Sequence, residues 1–178
     1  MKKITLGGGC FWCTEAVFQR LKGVEHVESG YMGGHIINPT YKDICTGKSG
    51  HAEIIQITYD PDVISLAQLF EIFWTAHDPT TLNRQGGDKG TQYRSVIFYA
   101  DNKEKTIAEK SVQEVASKLY SDPIVTELAE LTTYYPGEKY HQNYYNGQQS
   151  KPYCHLVISP KVGKLKKSFA HFMKEEYK

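Results

Sequence analysis

Residues 3–21 read Lys3-Ile4-Thr5-Leu6-Gly7-Gly8-Gly9-Cys10-Phe11-Trp12-Cys13-Thr14-Glu15-Ala16-Val17-Phe18-Gln19-Arg20-Leu21. The first four residues are short and β-prone. Three glycines then let the backbone turn tightly with no side chain in the way. Val17, Phe18 and Leu21 recur at helical spacing and predict a helix near 12–22. The stretch is thus a strand, a turn and a helix, with Cys10 at the junction. Unpaired N–H groups and the positive end of the helix dipole gather there, which predicts a stabilised thiolate. Phe11 and Trp12 wall that position with apolar surface suited to a small apolar group of a substrate.

Working outward, strands are predicted near 3–8, 24–32, 51–59, 93–99 and 125–131. Helices are predicted near 12–22, 65–76 and 102–120, with a short one near 138–146 and a C-terminal one near 163–175. Two long loops, 33–50 and 78–91, are punctuated by Gly, Asn-Pro and Asp, and long ordered loops in compact domains often carry function. This alternation favours an α+β fold over a doubly wound parallel sheet. The expected form is a ferredoxin-like α/β plait with an antiparallel or mixed sheet, helices on one face and an irregular C-terminal extension. A length of 178 residues suits a single domain over 1–178, with a core of about 3–154 and a variable tail over 155–178.

The hydrophobic fraction is 40%, and 21 basic residues face 20 acidic ones for a net charge of +1. Nothing in that balance points to a nucleic acid. The lysines of 161–167 read as a solvated helix face. No apolar run approaches membrane-spanning length, so no membrane partner is expected. No signal-peptide pattern follows Met1-Lys2-Lys3, which points to a cytoplasmic protein, and a monomer is the default. In that compartment Cys10, Cys13, Cys45 and Cys154 read as reactive or redox candidates before structural staples. Of the 13 tyrosines, six cluster over 134–153, as surface packing or as a pocket lined with hydroxyls.

The Cys10–Cys13 spacing has three readings. A zinc site would need a second pair of ligands, and the seven histidines offer no His-x3–5-His pair. A thioredoxin-like dithiol fits the position better than the surroundings. Two buried cysteines acting as small apolar residues leave the Gly-rich approach unexplained. Further along, Glu53 starts a strand in an apolar-rich stretch. There it could keep its proton as a general acid, although position alone favours a surface glutamate on the polar face. Asp88 and Tyr93 stand in the dense polar run Asn83–Ser95, where they could equally cap a turn and begin a strand.

The blocks GGGCFWCTEAVF, YMGG, NPTY, CTGKSGHAE, FWTAHDPT, NRQGGDKGTQYRS and YYPGEKYHQNYY occur in this order. Together they resemble the A-type peptide methionine sulfoxide reductases over residues 3 to about 154. The resemblance implies that Cys10 is the nucleophile on the sulfoxide sulfur and that Glu53 is the proton donor. It implies that Tyr41 and Tyr93 bind the sulfoxide oxygen, that Asp88 helps hold substrate or an ordered water, and that Phe11 and Trp12 take the ε-methyl group. Methionine-S-sulfoxide, free or in proteins, is then reduced in protein repair, and the oxygen leaves in the end as water. Cys10 becomes a sulfenic acid, which condenses with a second thiol to a disulfide. Thioredoxin or another dithiol reduces that disulfide, and no cofactor or metal is implied. Cys154, placed in a mobile tail, is favoured as the resolving thiol over Cys13, which the helix holds; a relay through both stays open. Cys45 reads as structural. Two rival readings are a redox sensor without turnover and a general disulfide reductase that would need Cys13 but not Glu53.

Overall fold

The computed structural model describes residues 1–178. A six-stranded sheet runs in the order β7-β6-β1-β3-β2-β8. Its centre is built from β1 (Lys2–Gly8), β2 (Val24–Met32), β3 (Ala52–Tyr59) and β6 (Ser95–Tyr99). β1 lies antiparallel between β3 and β6, and β2 is antiparallel to β3. With α1 (Phe11–Phe18) after β1 and α3 (Leu66–Ala76) after β3, these four strands form the expected plait. β7 (Glu127–Glu130) joins β6 in parallel and makes the sheet mixed, while β8 (Tyr135–Pro136) closes the other edge against β2.

Alternation along the strands sorts the core. Ile4 and Leu6 of β1, Ile55 and Ile57 of β3 and Ile97 of β6 face the helices and join the main cluster with Phe18, Leu69, Phe70 and Phe73. Met32, Ala52, Ile54, Val96 and Phe98 point the other way into a smaller cluster. Period two puts Glu53 on the helix side with Ile55 and Ile57, under the start of α1. Every residue of α1 except Trp12 is buried, because sheet and C-terminal helix enclose it from opposite sides. Leu6 lies in the central strand with no exposed surface. Leu6→Ala is expected to cost about 2–5 kcal/mol, seen as a lower urea midpoint at unchanged m-value. A loss below about 1 kcal/mol would show that this part of the core collapses onto the cavity.

Both predicted loops contain regular structure. Within 33–50, Thr40 and Asp43 form a capping box that starts α2 (Tyr41–Cys45). His51 ties the rest of that loop down: its Nδ1 accepts from the Gly34 N–H at 3.0 Å, and its Nε2 donates to the Ile36 carbonyl at 2.7 Å. Within 78–91, β4 (Arg84–Gln85) and β5 (Asp88–Lys89) pair as a hairpin, followed by a 3-10 turn at Thr91–Tyr93. The long helix begins as α4 (Asn102–Ser111), passes a π-turn at Val112–Ala116 and ends in α5 (Ser117–Leu119). The predicted helix near 138–146 is a 3-10 turn at Lys139–His141 followed by α6 (Tyr144–Gly147).

The largest departure from expectation is at the C-terminus. α7 (Ser159–Phe169) starts earlier than predicted and is preceded by a π-turn at Cys154–Ile158. Cys154 has no exposed surface and packs with Cys13, Ala16, Tyr145, Ile158 and Val162. It is therefore not carried by a loose tail. Val157, Ile158 and Pro160 weaken the local helical signal, and the packing of Ile158 and Val162 with Cys13 and Ala16 of α1 holds this segment in place.

Candidate active site

Cys10 is the N-cap residue of α1 and is nearly buried, at 8% exposure. The turn before it needs glycine at Gly9, where φ is +91° and a Cβ would press on the Gln85 side chain. Gln85 is itself pinned to the backbone of Asp78 through both ends of its amide, so this contact sets the turn against the 78–91 segment. One residue on, the Phe11 N–H donates to Glu53 Oε1 at 3.1 Å. The first free N–H of α1 thus holds the carboxyl of β3 beside the thiol.

Glu53 is 1% exposed, which overturns the surface position suggested by its place in the strand. Burial raises its pKa to about 8 against the opposing Phe11 N–H, and Asp88 and Cys13 push the same way. The carboxyl therefore keeps its proton at neutral pH. Tyr41 and Tyr93 are half-buried, and burial followed by the charge of Glu53 pushes both phenols well above their usual range, so they stay hydroxyl donors. Tyr41 is placed by Glu138, whose carboxylate accepts from the Tyr41 N–H at 3.0 Å and from the Tyr31 hydroxyl at 2.9 Å.

The helix dipole does not make Cys10 a resting thiolate. Burial pushes its pKa well above the usual range, and the Cys13 hydrogen bond and the Glu53 charge add to this. Cys13 responds in the opposite sense. The hydrogen bond from Cys10 outweighs burial and brings it to about 7, with Lys161 lowering it further. The two thiols titrate as a pair that loses its first proton near neutrality. Tyr153 lies over them, with its hydroxyl 3.7 Å from Cys13 Sγ, and it donates to Asp88 Oδ2 at 2.7 Å. A cavity of about 820 Å3 opens on this side, lined by Cys10, Cys13, His77, Asp88, Tyr153 and Lys161 among others.

The apolar wall is built chiefly from Phe11 and Trp12. Trp12 stacks on Tyr144 at 4.0 Å between ring centres and meets the edge of Tyr153 at 5.9 Å. Its indole N–H donates to His141 Nδ1 at 3.1 Å, and the His141 ring lies 5.0 Å from Phe11 and 4.4 Å from Tyr41. Glu15 anchors this segment: its carboxylate accepts from the N–H groups of Asn143 and Tyr144 at 2.9 and 3.2 Å. His141, Tyr144, Tyr153, Glu138 and Glu15 received no role from the sequence. The block YYPGEKYHQNYY was the available signal for three of them, since His141, Tyr144 and Glu138 all fall inside it.

The fold thus brings together Cys10, Cys13, Cys154, Glu53, Tyr41, Tyr93, Asp88, Phe11 and Trp12, whereas Cys45 is exposed on α2. No cluster of three or more His, Cys, Asp or Glu is placed to hold a metal ion.

A family model described as peptide methionine sulfoxide reductase matches residues 2–173. The chain belongs to the peptide methionine sulfoxide reductase family. It is 53% identical over 169 residues to peptide methionine sulfoxide reductase MsrA of Saccharolobus solfataricus, covering 95% of each chain. Its fold is similar to that of Mxr1 from Saccharomyces cerevisiae in reduced form, with a TM-score of 0.81 and 34% identity over 86% of this chain and 88% of that one. It also resembles Mxr1 in complex with Trx2, with a TM-score of 0.57 and 26% identity over 80% and 84% of the two chains. The family match runs through α7, beyond the boundary near 154 set by the sequence motifs. This protein is a thiol-dependent peptide methionine sulfoxide reductase.

Proposed function

We propose that Cys10 reduces methionine-S-sulfoxide with Glu53 as proton donor and Tyr41 and Tyr93 as donors to the sulfoxide oxygen. The observation that carries this reading is the Glu53 carboxyl, buried and protonated at neutral pH, held by the Phe11 N–H next to the Cys10 thiol. Phe11 and Trp12 take the ε-methyl group. Proton donation to the oxygen leaves the sulfur electron-poor beside Cys10, which favours the thiolate at the moment of attack. Cys10 then takes the oxygen: thiol and sulfoxide become sulfenic acid and methionine. Burial of Glu53, with the apolar Phe11 and Trp12 beside it, keeps bulk water off its proton.

Cys13 is the first partner of the sulfenic acid. It shares the same buried cluster as Cys10, and residues at N-cap and N3 of a helix lie within disulfide reach. Condensation releases one water and forms the Cys10–Cys13 bond. Cys154, packed against the same pair, attacks Cys13 in a thiol–disulfide exchange and frees Cys10. A thioredoxin-type dithiol supplies the two electrons that return the enzyme to its thiol form. The proposed substrates are the free amino acid sulfoxide and oxidised proteins, in the role of a repair enzyme that works in the cytoplasm as a single-domain monomer. No helix is long and apolar enough to cross a membrane.

The deciding assay is turnover of the S and R sulfoxides with dithiothreitol. Reduction of the S form alone is expected; equal reduction of both forms, or of neither, overturns the assignment. The pH profile follows from the same groups. Because the pKa of Glu53 is raised to about 8, the donor form is present below that value and is lost as the pH rises through it. The single-turnover rate is expected to fall about tenfold per pH unit above about 8. A rate that is level to pH 10 would remove Glu53 from the reaction.

A further inference from the structure

We propose that Tyr153 is a catalytic residue of the second half of the reaction: its hydroxyl carries the Cys13 proton to Asp88 as the sulfenic acid on Cys10 becomes a disulfide. The proposal rests on Cys13 as the first partner of that sulfenic acid. A phenol has one hydrogen to give, and Tyr153 gives it to Asp88 Oδ2 at 2.7 Å. The same oxygen lies 3.7 Å from Cys13 Sγ, so in that contact the thiol is the donor and Tyr153 the acceptor. Two hydrogen bonds thus run in one direction, from a thiol through a hydroxyl to a carboxylate. Three elements meet in this chain: Cys13 on α1, Asp88 on β5, and Tyr153 just before the Cys154–Ile158 π-turn. Asp88 takes part in none of the ion pairs, and Tyr153 is the one group that donates to its side chain, so its carboxylate is free to accept a proton.

The second half of the reaction needs such a route. The hydrogen bond that brings the Cys13 pKa to about 7 comes from the Cys10 thiol, and that thiol is consumed when the sulfenic acid forms. Burial then favours protonated Cys13. Lys161 and Asp88 act on Cys13 in opposite senses, and Glu53 and Cys154 feel its charge. His77 and Lys164 line the same cavity. Of all these groups, only Asp88 is joined to Cys13 through Tyr153.

In the step itself the Cys13 S–H bond breaks and its proton passes to the Tyr153 oxygen, while the Tyr153 proton passes to Asp88. The electron pair left on Cys13 forms the bond to the Cys10 sulfur, and the S–O pair leaves with the oxygen. Asp88 lines the same cavity as both sulfurs and gives its proton to that oxygen, which already bears one hydrogen and departs as water. The Cys13 sulfur is oxidised and the Cys10 sulfur reduced. Tyr153 and Asp88 end as they began, so no outside reagent is consumed.

The test uses the full chain with methionine-S-sulfoxide, no reductant, and dimedone as a trap for sulfenic acid. Cys10 then partitions between a dimedone adduct and a disulfide, and mass spectrometry reads the ratio at pH 6 and pH 8. Because the partition follows methionine release, it does not depend on the rate of the first half. The parent should give the same ratio at both pH values. Tyr153→Phe keeps the ring against Trp12. It should raise the share of adduct about tenfold or more at pH 6 and much less at pH 8, because the thiolate must then arise through solvent and its population falls with pH. Asp88→Asn should show the same pH dependence, and the double variant should exceed neither single one. The proposal is overturned if Tyr153→Phe partitions like the parent at pH 6. It is also overturned if the share of adduct rises by the same factor at both pH values, as loss of packing alone would cause. Peptide mapping of the first disulfide in the parent keeps this separate from the Cys13 assignment: a Cys10–Cys154 bond there would overturn that assignment and the relay with it.

Discussion

Glu53→Gln is expected to lower the single-turnover rate of methionine-S-sulfoxide reduction about 10²–10⁴-fold, the usual contribution of a positioned general acid. The amide keeps an oxygen for the Phe11 N–H, so the start of α1 stays in place. Substrate affinity should therefore change little, and the loss should appear in the rate. The descending limb near pH 8 should vanish with the carboxyl. Stability moves the other way. An acid whose folded pKa is raised to about 8 from 4.5 holds its proton longer in the folded state, so its burial weakens the fold progressively as pH rises from 4.5 to 8. Above that range Glu53→Gln should melt higher than the parent. A variant that retains parental rates and the same pH profile would transfer the proton-donor role to another group.

The cysteine series has the other large effect. Cys10→Ser should show no turnover with either epimer, because Cys10 alone holds the N-cap position of α1, one residue before the Phe11 N–H that holds Glu53. Cys13→Ser with Cys154→Ser should release about one methionine per protein and then stop with a thioredoxin-type reductant, its Cys10 held as sulfenic acid. Dithiothreitol, small enough to reach Cys10 directly, should restore turnover. The single variants separate the steps. Cys13→Ser should slow formation of the first disulfide, because the buried Cys154 must then shift past its packing on residue 13 to reach Cys10. Cys154→Ser should form a Cys10–Cys13 disulfide at the parental rate. Formation of Cys10–Cys154 at full rate in Cys13→Ser would instead make Cys154 the direct resolver. Peptide mapping of the trapped disulfides reads each outcome.

Much of this architecture was legible along the chain. Local propensity, apolar spacing and the glycine and Asp-Pro turns between them placed α1, α3 and the four central strands. The strand–glycine–cysteine–helix junction put Cys10 at an N-cap before any contact was known. Where the signal was weak, the reasons are physical. α2 depends on the Thr40–Asp43 capping box within a short, otherwise loop-like stretch. The Cys154–Ile158 π-turn joins β-branched residues near a proline, and its helical state is held by packing against α1.

The sequence by itself determined the plait, the nucleophile's place at the end of β1 and, through its motifs, the residue types of the reaction. Only the tertiary structure decided the electrostatics. Glu53 is an acid at neutral pH because β3 turns it inward beneath α1, away from water. Cys10 rests as a thiol for the same reason: burial and a neighbouring carboxyl outweigh the helix dipole. Trp12 is held by His141 and Tyr144, more than 120 residues away, because Glu15 caps their segment. Such effects depend on distance through space and on access of water, and neither quantity is written in the order of residues.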